Sequence, residues 1–447
     1  MALTGTDRLR SEELAHVLSR HGPAMRVLID GGYRSLAQGT GISTYARSLE
    51  AGLSALGHDV YWLSGAHVSG APDPLSDAVH LADDRPTARG LRANLETAVN
   101  MGAGVLKATA LARPLKRTGA VLARPHDLPQ RLTFLSPDLF VHAHYRHMLL
   151  RQFTEVKLPE PIDVLHLTAP LPIRMQGVRT VVTLHDLVPI RLPYTTSDNK
   201  REYIDRVRTS TRYADLIITV SEASKRDIIE LLDVPEDRIF VTWQASDIEP
   251  LNADERSALP RSLSRFGLTP DGYGLFVGAI EPKKNVRRLI DAFLEAHESM
   301  PLVLAGPKAW KWDNEIGDLD KRIGPDARQR VRLLGHVPHE DLRRLYAGAR
   351  ALIFPSLHEG FGLPALEAMR MGCPVLASQS GGLAQVCGSA ALAVDPQDMT
   401  NLIAGIARIL SDDGLRSDLV SAGHAQALCF TSEVYIKRLQ EAYAHLT

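Results

Sequence analysis

The chain has 447 residues, more than one hydrophobic core usually serves, so two domains are expected. Apolar residues make up 45% and charged residues 23%, as in an ordinary globular protein, and a formal net charge of −1 gives no electrostatic reason for a nucleic-acid partner. Cys373, Cys387 and Cys429 cannot all pair and match no metal-ligand spacing, which predicts a reducing, cytoplasmic setting. Thr4 to His21 is too rich in charge for a signal peptide, and no apolar run is long enough to span a bilayer.

The first predicted strand is Met25 to Asp30. A turn-rich loop, Gly31 to Gly41, leads into an amphipathic helix over 42–53, and 59–63 returns as a strand. A strand, a glycine loop, a helix and a strand in that order begin a doubly wound sheet. Residues 66–135 are broken by prolines. Within them, between Arg85 and Arg131, nine basic residues stand against two acidic ones, a local charge of +7 interleaved with leucine and valine. Such a segment suits an anionic membrane face or a solvated insertion. Strands follow at 164–167, 180–184, 216–220 and 239–242, with helices over 199–214 and 223–232 between them. The polar, proline-bearing stretch 247–271 reads as a linker. A second alternating series has strands at 273–278, 302–306, 331–335, 351–354 and 374–377, and helices over 286–296, 341–348 and 399–410. The last helix is expected within 432–446.

The chemistry concentrates at the ends of these strands. Beyond 351–354 comes His358-Glu359-Gly360-Phe361-Gly362-Leu363-Pro364-Ala365-Leu366-Glu367, a glycine-rich loop running into a helix. One carboxylate stands in the loop and another in the helix, with backbone N–H groups between them. Amides and a helix N-terminus suit phosphates, and carboxylates suit sugar hydroxyls. Gly278-Ala279-Ile280-Glu281-Pro282-Lys283-Lys284-Asn285 leaves the first strand of the second series and places two lysines at that strand's end. Val182-Thr183-Leu184-His185-Asp186 puts a histidine at a strand's carboxyl end. Gly39-Thr40-Gly41-Ile42-Ser43-Thr44 begins like a dinucleotide fingerprint. Thr44 replaces the third glycine, however, and the second strand ends without an acidic residue for a ribose, which argues against a dehydrogenase. Ser221 suits a helix N-cap. His142-Ala143-His144-Tyr145-Arg146-His147 has no carboxylate or cysteine cluster beside it and reads as surface or acceptor contact rather than metal-binding. Asp318-Leu319-Asp320 reads as a solvated helix face.

The Glu-x7-Glu pair Glu359/Glu367, the Glu-Pro-Lys-Lys-Asn signature ending at Asn285 and the His185-Asp186 pair together resemble the retaining glycosyltransferases of family 4. The resemblance spans about Arg26 to Tyr443, outside 66–135. It implies an α/β GT-B fold of two Rossmann-like, doubly wound parallel-sheet domains facing across a cleft. Residues 1–250 would form the acceptor domain, with a basic insertion at 66–135. Residues 251–430 would form the nucleotide-sugar domain, and 431–447 a helix crossing back to the first. Catalytic roles would fall to His185, Glu359 and Lys284. Gly41, Gly278, Lys283, Lys284, Glu359, Gly360, Phe361, Gly362, Leu363 and Glu367 would bind the donor, with Lys284 and Gly41 at the phosphates, Glu359 at the sugar and Glu367 at the ribose. The family implies neither metal nor cofactor. It implies transfer of a hexose from a nucleoside diphosphate sugar to a saccharide or polyprenyl-linked acceptor, by a cytoplasmic enzyme peripheral to the membrane's inner face. The His185-Asp186-Leu187-Val188-Pro189 form is similar to bacterial members that use GDP-mannose in polysaccharide assembly. A UDP-sugar or GDP-fucose donor, a GT-B sugar-nucleotide epimerase and a non-catalytic nucleotide-sugar binder are the alternatives.

Overall fold

The computed structural model describes residues 23–32, 41–67, 98–99, 101–104, 106–115, 132–246, 248–297, 299–319, 321, 323–324 and 329–446. The first half of the chain builds an eight-stranded sheet. Its strands are β1 (Arg26–Asp30), β2 (Asp59–Ser64), β4 (Arg113–Pro114), β5 (Thr133–Leu135), β7 (Val164–Leu167), β9 (Arg179–Leu184), β10 (Leu216–Thr219) and β11 (Ile239–Val241). The order is β11-β10-β9-β7-β1-β2-β5-β4, parallel throughout except for β4 against β5. A small sheet flanks it, in the order β3 (Thr109–Leu111), β6 (Thr154–Lys157), β8 (Ile173–Arg174).

The second half builds a six-stranded parallel sheet from β12 (Gly274–Val277), β13 (Leu302–Ala305), β14 (Val331–Gly335), β15 (Ala351–Phe354), β16 (Val375–Ser378) and β17 (Leu392–Val394). Its order is β14-β13-β12-β15-β16-β17. In both sheets the first strand is flanked on one side by the second and on the other by a later strand, so each has a point where the winding reverses. Open parallel sheets bind ligands beyond the carboxyl ends of the strands at such points. These fall between β1 and β7, and between β12 and β15.

The strands read from the sequence stand out as short apolar runs, and β10, β12, β13, β15 and β16 are buried along their whole lengths, whereas β3, β4, β5, β6, β8 and β17 were not read from it. Helix Val286–Ala296 buries Val286, Leu289, Ile290 and Phe293, one stripe at helical spacing. Each such side chain contributes roughly 1.5–3 kcal/mol when removed from water. The final helix, Ser432–Ala444, crosses onto helix Gly41–Ala55. Gly52 permits that crossing, since a Cβ there would lie 3.1 Å from Leu439 and 3.2 Å from Tyr435. One apolar cluster runs from Val27 and Ile29 of β1 through Leu439 to Leu275 and Phe276 of β12, so the two sheets share a core.

Three expectations need correction. The stretch expected as a linker carries two short helices, Ala253–Ser257 and Leu259–Ser264. Asn252 and Glu255 form a reciprocal capping box at the first, and Leu259 and Leu263 bury the second. The basic region is not wholly an insertion. Thr133–Leu135 pairs with β2 inside the main sheet, and β3 and β4 also fall within it. Of its nine basic residues only Lys107 and Arg113 lie among the described residues. The histidine run is only in part surface, with His144 exposed. It lies in helix Leu139–Leu150, with His142 and His147 buried and His147 facing Glu202 at 3.2 Å and Asp205 at 3.1 Å. Asp318 pairs with Arg287 at 3.1 Å, and Asp320 lies outside the described residues.

Among the described residues no group of three or more His, Cys, Asp or Glu side chains could hold a metal ion, and no helix is long and apolar enough to cross a membrane.

Candidate active site

Three segments of the second sheet build one wall. After β12, Gly278 turns at φ +150°, a conformation that only glycine adopts without strain. The chain then makes a single 3₁₀ turn, Pro282–Lys284, beneath the switch point. Asn285 ends that turn in the left-handed region, and its side chain donates to the carbonyls of Pro355 at 3.2 Å and Pro396 at 2.8 Å. Asn285 therefore fixes the lysine turn to the β15 loop. The Lys284 ammonium donates to Glu359 Oε1 at 2.6 Å and stands 4.9 Å above the Phe354 ring.

The β15 loop is pinned in turn by the loop after β16. Gly382 N–H donates to the Glu359 carbonyl at 2.8 Å, and Ser380 Oγ donates to that of Leu357 at 2.7 Å. A Cβ on Gly381 would lie 2.3 Å from the Glu359 carbonyl oxygen, and one on Gly382 only 2.0 Å from that of Gly360. The sequence reading did not single out this Gly-Gly pair. Its signal was two adjacent glycines just beyond a buried strand.

Gly362 caps helix Leu363–Arg370 at φ +118°, and the Phe361 ring turns into the core against Phe430, 5.5 Å away. Phe361 and Gly362 thus have only backbone to offer a ligand. Farther along that helix, Glu367 Oε2 accepts from the Tyr346 hydroxyl at 2.8 Å. Tyr346 was also missed, because it lies on helix His339–Gly348, which the pattern around Glu367 does not include.

The opposite wall comes from the first sheet. His185 follows β9, and its Nε2–H donates to the Thr168 carbonyl at 3.0 Å, which fixes the tautomer and leaves Nδ1 as an acceptor. Its backbone carbonyl accepts from Ser224 Oγ at 2.9 Å. Ser221 caps the helix that carries Ser224, accepting from Ser224 N–H at 3.0 Å, as its sequence position suggested. The two walls touch at Gly360. A Cβ there would lie 2.7 Å from the His185 carbonyl oxygen and 3.2 Å from Asp186 Cβ. Helix Gly41–Ala55 stands alongside, and its Tyr45 ring meets the His185 ring edge-on at 4.7 Å. Gly41 opens that helix, exposed, with no described atom within 4 Å of a Cβ built there.

The electrostatics are those of a dry, mixed-charge cleft. Burial works against the charge on Glu359, but Lys284 and Lys283 outweigh it and hold the carboxyl below its ordinary range. Burial likewise opposes the Lys283 ammonium, and Asp186, Glu359 and Glu281 reverse that and push its pKa up. Glu281 goes the other way, raised by burial despite the two lysines. Burial lowers the His185 imidazole, with Asp186 and the Thr168 bond opposing, which favours its neutral form. Two fixed cations at a strand-end turn, beside backbone amides and a carboxylate, can receive a diphosphate and orient a sugar.

The sequence profile of the group 1 glycosyl transferases matches residues 268–426, and that of Glycosyltransferase Family 4 matches 39–249. O-antigen chain mannosyltransferase B of Escherichia coli is 37% identical over 278 residues, which cover 61% of this chain and 71% of that protein. The chain belongs to glycosyltransferase family 4. Among solved structures, a sucrose-phosphate synthase from Thermosynechococcus elongatus superposes with a TM-score of 0.65 at 18% identity, covering 94% of this chain and 99% of that one. Anabaena HepE in complex with UDP-glucose gives 0.64 at 15% identity, with the same coverage. The fold of this family 4 glycosyltransferase is GT-B, and the wall-to-wall contact at Gly360 lies across its cleft.

Burial raises the Glu367 carboxyl to about 7, from an ordinary value near 4.5, with the Tyr346 bond opposing. A carboxyl whose folded pKa is raised contributes stability that is full below the unfolded pKa and is lost as pH rises through the folded one. Glu367→Gln should therefore raise the melting temperature relative to wild type at about pH 8 and lose that advantage near pH 5. Thermal melts at the two pH values check this, and an equal shift at both would contradict it.

Proposed function

We propose that this glycosyltransferase moves mannose from GDP-mannose to a saccharide or polyprenyl-linked saccharide, with retention of anomeric configuration and without a metal ion. The observation that carries the reading is the Lys284–Glu359 pair of 2.6 Å at the β12/β15 switch point, below the His185 wall. The mannosyl choice is supported by the E. coli relative, itself named a mannosyltransferase, and by a second E. coli relative, serotype-specific mannosyltransferase WbdA, 30% identical over 57% of this chain and 32% of that protein.

Lys284 and Lys283 take the diphosphate, with Gly41 and the amides of Gly360, Phe361 and Gly362 beside it. Gly278 leaves room for the donor at the turn. Glu359 receives the sugar hydroxyls and Glu367 those of the ribose. When the donor enters, the Lys284 ammonium exchanges a carboxylate partner for phosphate oxygens, so its charge is never left unpaired in the cleft. The acceptor hydroxyl attacks the anomeric carbon from the side the diphosphate leaves. The bond from that carbon to the β-phosphate oxygen breaks as the new glycosidic bond forms, and the acceptor's proton passes to the departing phosphate oxygen. His185, on the sugar's reacting face, offers its carbonyl to the positive charge that develops. The protein's contribution is electrostatic and positional.

The test is incubation with a panel of nucleoside diphosphate sugars and mannose-terminated acceptors, followed by NMR of the product. An α-linked mannoside from GDP-α-mannose, undiminished by EDTA and reduced on the order of 10²-fold in kcat/KM by Lys284→Ala, is expected. An inverted linkage, preference for a UDP-sugar, or metal rescue after chelation would contradict it.

The acceptor side of the reading includes an anionic membrane surface met by the 85–131 segment. Its basic residues would each contribute roughly 1 kcal/mol near such a surface. Flotation with anionic liposomes at low salt, lost at high salt and absent with neutral lipid, is the expected result. Equal failure with both lipids would point to a soluble acceptor.

A further inference from the structure

Four buried polar side chains run in file behind His185, and the reaction as described uses none of them. The Tyr45 hydroxyl lies 2.9 Å from Thr183 Oγ1. Thr183 Oγ1 lies 2.8 Å from His166 Nε2, and His166 Nδ1 lies 2.7 Å from the Tyr443 hydroxyl. All four residues are at most 2% exposed. They come from helix Gly41–Ala55, β9, β7 and the crossing helix Ser432–Ala444, so the file stitches four elements together.

Burying three hydroxyls and an imidazole between helices and a sheet is unfavourable unless each is bonded, and apolar side chains of similar shape would pack there at less cost. Here each is bonded. Burial lowers His166 to about 3, so its ring is neutral, donates through one nitrogen and accepts through the other. A neutral, satisfied file of this kind confers orientation rather than charge. What it orients is the Tyr45 ring, which stands at 88° to the His185 ring with centroids 4.7 Å apart. The other side of the same imidazole is held by the Thr168 carbonyl. Thr168 is held in its turn, its N–H donating to the buried Asp30 carboxylate. His185 is therefore clamped between a backbone acceptor and an aromatic edge, and the aromatic edge is anchored to the last helix of the chain through the file and by the Tyr435 hydroxyl beside it.

We propose that Tyr45 is the positioning residue for His185 and that Thr183, His166 and Tyr443 act through it. The crossing helix thereby contributes to the chemical step, and not only to packing. This rests on the reading that places His185 at the sugar's reacting face. Tyr45→Phe keeps the ring and removes the anchor. Tyr443→Phe breaks the file at its far end, 277 residues from His166 in sequence.

The experiment compares wild type, Tyr45→Phe, Tyr443→Phe and the double variant by kcat, donor KM, melting temperature and ¹⁵N NMR of the His185 ring. Each single variant should lower kcat about 3–10-fold at unchanged donor KM, a modest share of what misplacement can cost. The double variant should be no slower than the worse single one, because both break the same file. The His185 ring signals should shift or broaden in all three. Thr183→Ser, which keeps the hydroxyl, should behave as wild type, and Thr183→Val as Tyr443→Phe. Multiplying losses in the double variant, or a lowered melting temperature with kcat and His185 signals unchanged, would overturn the inference and leave packing alone. The NMR arm needs no donor. A wild-type enzyme inactive with every nucleotide sugar would count against the proposed reaction, whereas unmoved His185 signals would count against this inference.

Discussion

A backbone carbonyl from one sheet rests on a residue without a side chain in the other, and the cleft takes its shape from that contact. The His185 carbonyl belongs to the first sheet and Gly360 to the second, and any Cβ on Gly360 would drive them apart. Gly360 is itself held from behind, since Gly381 and Gly382 let the β16 loop press against residues 359–360. Three glycines in two loops thus transmit the position of β16 through the β15 loop to the opposite wall. Helix Glu222–Leu232 reinforces the alignment, its Glu222 N–H donating to Gln385 Oε1 of helix Gly382–Cys387 at 3.0 Å.

The charges inside the cleft follow from this closeness. Glu359, Glu281 and Asp186 face Lys283 and Lys284 in a space largely shut from water. Ion pairs so placed are poor sources of stability, because desolvation offsets most of their attraction. Their value is preorganisation. The ammoniums are already mostly buried and aimed, and a diphosphate can take the place of the carboxylates as their partner. Neutral His185 fits the same logic, since a charged imidazolium beside the developing positive charge would oppose it.

Much of this was legible in the sequence because its signals are local. Buried parallel strands announce themselves as short apolar runs; His185, Glu359 and Lys284 follow the ends of such runs, and Glu367 stands in the helix that the Glu359 loop opens. The structure brings the Lys284 and Glu359 segments into direct contact and lays the His185 segment over Gly360. What was not legible depends on residues far apart in the chain. Nothing near Tyr45 or His166 indicates that Tyr443 completes their hydrogen bonds, and Tyr346 reaches Glu367 from a different helix. The histidine run over 142–147 misled for a related reason. Polar residues usually face water, but His147 is buried because Glu202 and Asp205 arrive from helix Lys200–Tyr213 to meet it. The stretch at 247–271 looked like a linker because capping residues and prolines serve short helices as well as loops.

The contact at Gly360 offers the most direct test of the account. Gly360→Ala adds one methyl group where 2.7 Å separates its place from the His185 carbonyl oxygen. The Gly360 amide is itself placed beside the diphosphate, so donor binding measured by calorimetry should weaken too, but by less than transfer. Transfer should fall on the order of 10²-fold in kcat, because the wall carrying His185 is displaced from the sugar. Wild-type turnover in a folded Gly360→Ala enzyme would contradict the claim that the two sheets make one reaction centre at this point.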